Sequence, residues 1–169
     1  MVKLLAVTRD AFDSIVAGAD TAMIVVTAVD GDERSGCLVG FHTQSSIDPR
    51  RYAVWISKAN HTYGVAARAT HLAIHFLDAR DVALAELFGG ETGDEIDKFA
   101  RVRWEPGPGG VPLLRDCPSR VIVRRVETTD FGGDHVCIEG EPVDASDRDD
   151  FQPLRFAEVK DIDPGHDAD

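Results

Sequence analysis

The sequence predicts a mainly β fold of the α+β type, a closed antiparallel sheet with short helical excursions, and three observations carry that prediction. Runs of strand length rich in β-branched and aromatic residues recur at Ala22–Ala28, Arg34–Phe41, Tyr52–Ser57, His71–Leu77, Ser119–Val126 and Val136–Val143. The first two runs flank Asp30-Gly31-Asp32 and the last two flank Asp130-Phe131-Gly132-Gly133-Asp134, the turn chemistry of β-hairpins. Helical patterns do not follow the strands in regular alternation, which argues against a doubly wound parallel sheet.

The helical expectations fit between and around these strands. Phe12, Ile15, Val16 and Ala19 recur at helical spacing and predict a short amphipathic helix over Asp10–Ala19, with Gly18 near its end. Further helical signals lie at Thr62–Ala69, Asp81–Phe88 and Asp94–Arg101, where Ile96 and Phe99 sit three apart. The segment Pro106–Pro112 reads as a loop: it lacks GxGxxG, and its prolines remove the amide donors that a phosphate cradle needs. Leu154–Val159 reads as a last ordered segment before an acidic end.

With 169 residues the chain has room for one domain with a substantial core. The expected division is a domain over residues 1–153 and a C-terminal segment with an acidic tail over 154–169. The formal charge is −12, and half of it lies in residues 144–169. That balance argues against nucleic acid and anionic membrane as partners, which select for clustered Lys and Arg. Apolar runs such as Met23–Val26 fall far short of the roughly 20 residues needed to span a bilayer. The run Leu4–Val7 is too short for a secretory signal, so the expected setting is cytoplasmic. Cys37, Cys117 and Cys137 have no CxxC spacing and read as reduced, mostly buried thiols.

Chemistry concentrates in a few places. In Arg34–Pro49, Gly36 and Gly40 would let a flat ligand or another backbone approach closely. The polar run His42-Thr43-Gln44-Ser45-Ser46 gathers donors and acceptors where the strand ends, or is simply a strand leading into a capped turn. Ser57-Lys58-Ala59-Asn60-His61-Thr62 precedes a helix and offers either an anion site or an ordinary N-cap by Asn60 or Thr62. From Arg50 to Arg68 inclusive there are four basic residues and no acidic one. His71 and His75 have the spacing of a helical metal pair, but Leu72, Ile74 and Phe76 alternate with them as in a strand, and no further ligands complete a metal set. Neither a GxSxG elbow nor an HExxH helix occurs. Gly133-Asp134-His135 lies between a turn and a strand, placing an imidazole either at a cleft mouth or in a turn-side hydrogen bond.

Taken in order, Gly36–Pro49, Ser57–Thr62, Ala73–Leu77 and Gly133–His135 resemble the flavin reductase-like family with an FMN-binding split barrel, over about Ala22 to Val143. The resemblance implies a Greek-key split β-barrel with short peripheral helices, forming a homodimer with one FMN per subunit near the dimer interface. It implies reduction of FMN, or FAD, by NADH or NADPH, with reduced flavin supplied to a partner monooxygenase. The alternative within the same resemblance is an FMN-binding protein without reductase activity, an electron carrier or flavin store. By position, Val39, Gly40, Phe41, His42, Thr43, Gln44 and Ser45 would line the isoalloxazine edge. Ser57, Lys58, Asn60, His61 and Thr62 would hold the ribityl phosphate, and His135 would inherit the nicotinamide-facing catalytic role. The chain departs from the family pattern where Pro49 is followed by Arg50, and where Leu38 and Gly40 replace hydroxyl-bearing residues. Hydride transfer between nicotinamide and flavin needs stacking and orientation more than a general base, so the missing triads and carboxylate pairs are consistent with it.

Overall fold

A computed structural model describes residues 9–165; the first eight residues, and residues 166–169 at the end of the predicted acidic tail, lie outside the described residues. The strands are β1 (Ile24–Asp30), β2 (Glu33–Val39), β3 (His42–Ser46), β4 (Arg51–Ser57), β5 (His71–Phe76), β6 (Trp104–Pro106), β7 (Pro112–Leu114), β8 (Arg120–Thr129) and β9 (His135–Ser146). The α-helices are α1 (Arg9–Gly18), α2 (His61–Ala66), α3 (Val82–Gly90) and α4 (Phe156–Val159).

Seven strands form one antiparallel sheet in the order β2-β1-β5-β8-β9-β4-β3. Its two edge strands, β2 and β3, are joined only by Gly40 and Phe41. A flat sheet of this order would put its edges about 29 Å apart, yet the chain from Val39 to His42 reaches at most about 11 Å. The sheet therefore curls until its edges meet at that link, where the Trp55 amide donates to the Phe41 carbonyl at 2.8 Å. Register shifts between Ile122 and Val123, and again between Arg125 and Glu127, mark bulges that bend β8 against β9.

The curl gives the first strand two buried faces, which is why it reads as an unbroken apolar run. Ile24, Val26 and Ala28 point into the barrel with Cys37, Val39, Val54, Ile56, Leu72 and Ile138. Val65 and Ala66 of α2, with Ala69 just beyond it, join the same core. Met23 and Val25 point outward and are covered by α3 and the C-terminal segment through Ala85, Phe88, Leu154 and Val159. Leu154 is fully buried, and its backbone bonds to Met23 and Leu77 at 2.8 Å each. The C-terminal segment thus belongs to this outer core as far as Ile162.

Three local expectations change. His42–Ser46 is an edge strand and not merely the approach to a turn, because Thr43 and Ser45 carry polar side chains to solvent on an edge that needs no apolar face. Of Asp94–Arg101 only Lys98–Arg101 is helical, as a 3-10 turn in which Asp97 caps the Phe99 amide at 2.9 Å. The segment Pro106–Pro112 is not simply a loop: β6 and β7 pair across it, and Gly109 and Gly110 at φ 64° and 76° supply the left-handed turn. No helix among the described residues is long and apolar enough to cross a membrane.

Candidate functional site

A cavity of about 590 Å³ opens where the barrel edges meet, within the usual range of roughly 300–1,000 Å³ for small-molecule sites. Met23, Leu38, Val39, Trp55 and Ile56 make its walls, and Phe12 and Val16 of α1 overhang it. Ser57 and Asn60 add polar groups to the lining, and Phe41 and His135 join it with ring centroids 4.9 Å apart. A Cβ built on Gly40 would meet only Met23 side-chain atoms, at 3.6 Å, so the space beside that backbone is open. The lining is dominated by apolar side chains, with Asp13, Thr21, Ser57, Asn60 and His135 as its polar members, a surface chemistry that fits the flat ring system of a flavin.

The predicted site residues separate into three groups. Val39, Gly40, Phe41, Ser57, Asn60 and His135 share the cavity. His42 turns away from it: Nε2 lies 2.6 Å from the Ala22 carbonyl and Nδ1 2.7 Å from the Tyr52 hydroxyl, and burial pushes its pKa down. Thr43, Gln44 and Ser45 are exposed on β3, where Ser45 bonds Glu139. Lys58, His61 and Thr62 cluster with Asn60 at the start of α2. The Thr62 hydroxyl is buried, 2.8 Å from that of Ser35, and Asn60 Oδ1 accepts the Thr62 amide at 2.9 Å, so the N-cap reading holds for Asn60.

The two glycines singled out in the sequence do different work. A Cβ on Gly36 would come within 2.9 Å of the buried Phe88 ring, so this glycine makes room for α3 on the outer face of the barrel. Gly40 is the one beside the cavity. At the cavity's histidine, Asp134 Oδ1 accepts from His135 Nδ1 at 2.7 Å; that bond holds the Asp134 carboxyl below its ordinary range and fixes the imidazole orientation.

His75 is fully buried, with Nδ1–H donating to the Val25 carbonyl at 3.2 Å and Nε2 accepting the Leu114 amide at 3.0 Å. Both ring nitrogens serve to fasten β7 to the barrel, and burial pushes the pKa down to about 3. Cys37 and Cys117 are buried thiols, with Cys37 pushed up to about 11 by desolvation, while Cys137 is half-buried.

Comparison with known proteins settles the family. The profile described as "Flavin reductase like domain" matches residues 17–161. The chain belongs to this family. Among curated relatives of this flavin reductase-like chain, "FMN reductase (NADH) SmoA" from Agrobacterium fabrum is 32% identical over 81% of the chain and 75% of that protein. "High molecular weight rubredoxin" from Moorella thermoacetica is 30% identical over 80% of the chain, which spans only 59% of that longer protein. The solved structure of flavin reductase HpaC complexed with NADP+ shares the fold at a TM-score of 0.78, with 23% identity over 89% of this chain and 94% of that one. The curled sheet is thus the split barrel of the flavin reductases.

Sequence reasoning missed Trp55, Met23 and the overhang of α1. Trp55 looks like any aromatic in a strand; its half-exposure in a barrel was the missing information. The Phe12–Val16 stripe is visible in the sequence, but its spacing predicts an amphipathic face without saying what that face covers.

Proposed function

We propose that this chain is an NAD(P)H-dependent flavin reductase that transfers a hydride from NADH or NADPH to FMN, with FAD as a second acceptor. The observation that carries the reading is the apolar cavity between Gly40 and Trp55, with an oriented imidazole in its lining, in a member of the flavin reductase-like family. A bound flavin supplies the hydride-accepting chemistry, so the protein has to bind, orient and exclude water. Met23, Leu38, Val39 and Ile56 present an apolar wall to a ring, Trp55 adds a broad aromatic surface, and Gly40 leaves backbone accessible beside it. In this reading His135 takes the nicotinamide-facing role, and its bond to Asp134 and its contact with the Phe41 ring support that assignment.

Donating reduced flavin to a monooxygenase belongs to the same proposal, as does a homodimer, which the exposed Phe41 and Phe131 support as surfaces that a second copy would cover. Three unbridged cysteines support a cytoplasmic setting. The test is NADH and NADPH oxidation by purified protein with FMN and with FAD. Turnover well above the free-flavin background is expected. A protein that binds flavin but ignores both nicotinamides is instead the carrier or store.

A further inference from the structure

A second cavity, of about 340 Å³, adjoins the first. The two share Met23, Leu38, Asn60 and Phe156 in their linings, so these four side chains form the boundary between them. From that boundary the second cavity runs past the end of α3 to the C-terminal segment, where Val159, Ile162 and Pro164 line it. The Gly165 amide fastens that segment by donating to the Gly89 carbonyl at 3.1 Å. The volume lies near the lower end of the roughly 300–1,000 Å³ usual for small-molecule sites.

Charge divides between the two cavities. Among the described residues, the first lining holds one carboxylate, Asp13, and neither Lys nor Arg, whereas the second holds Lys160 and no carboxylate. Glu158, Asp161 and Asp163, close to Lys160 in the chain, line a different depression together with Glu86 and Glu91. Lys58 is paired with Asp130, and Lys98 is buried against the Gly36 and Phe88 carbonyls. Lys160 is instead exposed, with no carboxylate in salt-bridge reach among the described residues.

A flavin ring in the first cavity has to send its phosphorylated chain somewhere. Within that cavity a phosphate meets only Asp13, a like charge, while past Asn60 it meets Lys160. Asn60 Oδ1 is committed to the Thr62 amide, which leaves its NH2 group for a ligand at the boundary. Phe41 and His135, on the nicotinamide side of this reading, line the first cavity and not the second. Beside Lys160 the wall is apolar, so the second cavity offers a cation and then a surface for an uncharged heterocycle. An adenosine joined through phosphate has that same order of groups.

We propose that the second cavity is the subsite for the adenylate half of FAD, with Lys160 on the pyrophosphate and Phe156, Val159 and Ile162 against the adenosine. The inference rests on the flavin reading above and deepens it by naming the substrate: FAD fills both cavities, FMN reaches the boundary with its phosphate, and riboflavin occupies the first cavity alone.

The test measures dissociation constants of riboflavin, FMN and FAD for the wild type, Lys160→Ala and Lys160→Glu, by quenching of tryptophan emission, since Trp55 lines the first cavity. Lys160 is exposed, so neither substitution touches the core. The wild type is expected to bind FAD roughly threefold to thirtyfold more tightly than FMN, the surplus of one charge-assisted contact and a covered ring over the cost of ordering them. Lys160→Ala is expected to weaken FAD by roughly threefold to tenfold and Lys160→Glu by more, with riboflavin unchanged. A wild type that binds FAD no more tightly than FMN overturns the inference. Variants that leave FAD unchanged, or that weaken riboflavin as much as FAD, overturn it while leaving the flavin reading intact. The KM for NADH and NADPH is followed in the same variants. A raised KM with unchanged FAD affinity gives the second cavity to the adenylate of the reductant and overturns the assignment to FAD. Failure of any flavin to bind overturns both readings.

Discussion

Replacing His75 by glutamine tests how the β6–β7 hairpin is fastened to the barrel. The buried imidazole donates to the Val25 carbonyl and accepts from the Leu114 amide. Glutamine offers a carbonyl acceptor and an NH2 group but does not titrate, and its second N–H finds no counterpart to the two bonds the imidazole makes. At pH 7 the variant should be less stable by about 1–2 kcal/mol, the worth of an imperfectly remade buried hydrogen-bond pair. The pH dependence separates the two proteins. The His75 pKa falls from an ordinary 6.5 to about 3 in the folded state, first through burial, with the nearby Arg120 adding to it against the bond to Val25. The unfolded chain therefore takes up this proton near pH 6.5, while the folded chain resists it until about pH 3. Stability conferred by the neutral ring is present above 6.5 and is lost as pH falls toward 3. Between pH 7 and 4.5 the loss amounts to about 2.5 kcal/mol for the wild type and is absent from the variant. Urea denaturation at both pH values should show the two stability curves converging or crossing on acidification. Curves that stay parallel would refute the reasoning, because other acid-sensitive groups such as Asp78 and His42 are common to both proteins.

The two glycines of β2 and its link should respond in opposite ways. Gly36→Ala drives a Cβ to 2.9 Å from the Phe88 ring and should destabilise the fold by about 1–3 kcal/mol in denaturant titrations. The Cβ of Gly40→Val meets only the flexible end of Met23, so the variant should leave the melting temperature nearly unchanged, while weakening flavin by roughly tenfold in a fluorescence titration because its methyl groups intrude into the cavity. His135→Ala should raise the nicotinamide KM by roughly 2- to 10-fold, the worth of one hydrogen bond, with little change in flavin affinity. Equal losses of both affinities would place the imidazole elsewhere in the reaction.

The strands were legible because the barrel imposes a period of two on them: Ile24, Val26 and Ala28 face in, while Met23 and Val25 face an outer layer. The same two-sided burial made β1 look like a plain apolar run, so the outer layer itself was not visible. β3 was hidden because Thr43 and Ser45 on an edge strand carry no apolar alternation. Ile96 and Phe99 imitated a helix by spacing alone; Phe99 in fact packs against Phe88 and Trp104 from a single 3-10 turn.

At the site, the order of motifs pointed to the cavity, and Val39, Gly40, Phe41, Ser57, Asn60 and His135 lie around it. The basic stretch from Arg50 to Arg68 was also legible, but its partners were not. Asp130 and Asp94 reach Lys58 and His61 from segments far along the chain, and only folding pairs them. Lys58 and His61, neighbours in the sequence, thus meet carboxylates that only the fold brings to them.

The most direct test of the account follows flavin reduction under anaerobic conditions. Purified protein loaded with FMN is mixed with NADH or NADPH, and bleaching of the flavin's visible absorbance is recorded for the wild type and for Gly40→Val. The account predicts rapid bleaching by the wild type with at least one nicotinamide, and much slower bleaching by Gly40→Val, whose side chain intrudes into the cavity. Equal rates for the two proteins, or a wild type no faster than free flavin, would contradict it.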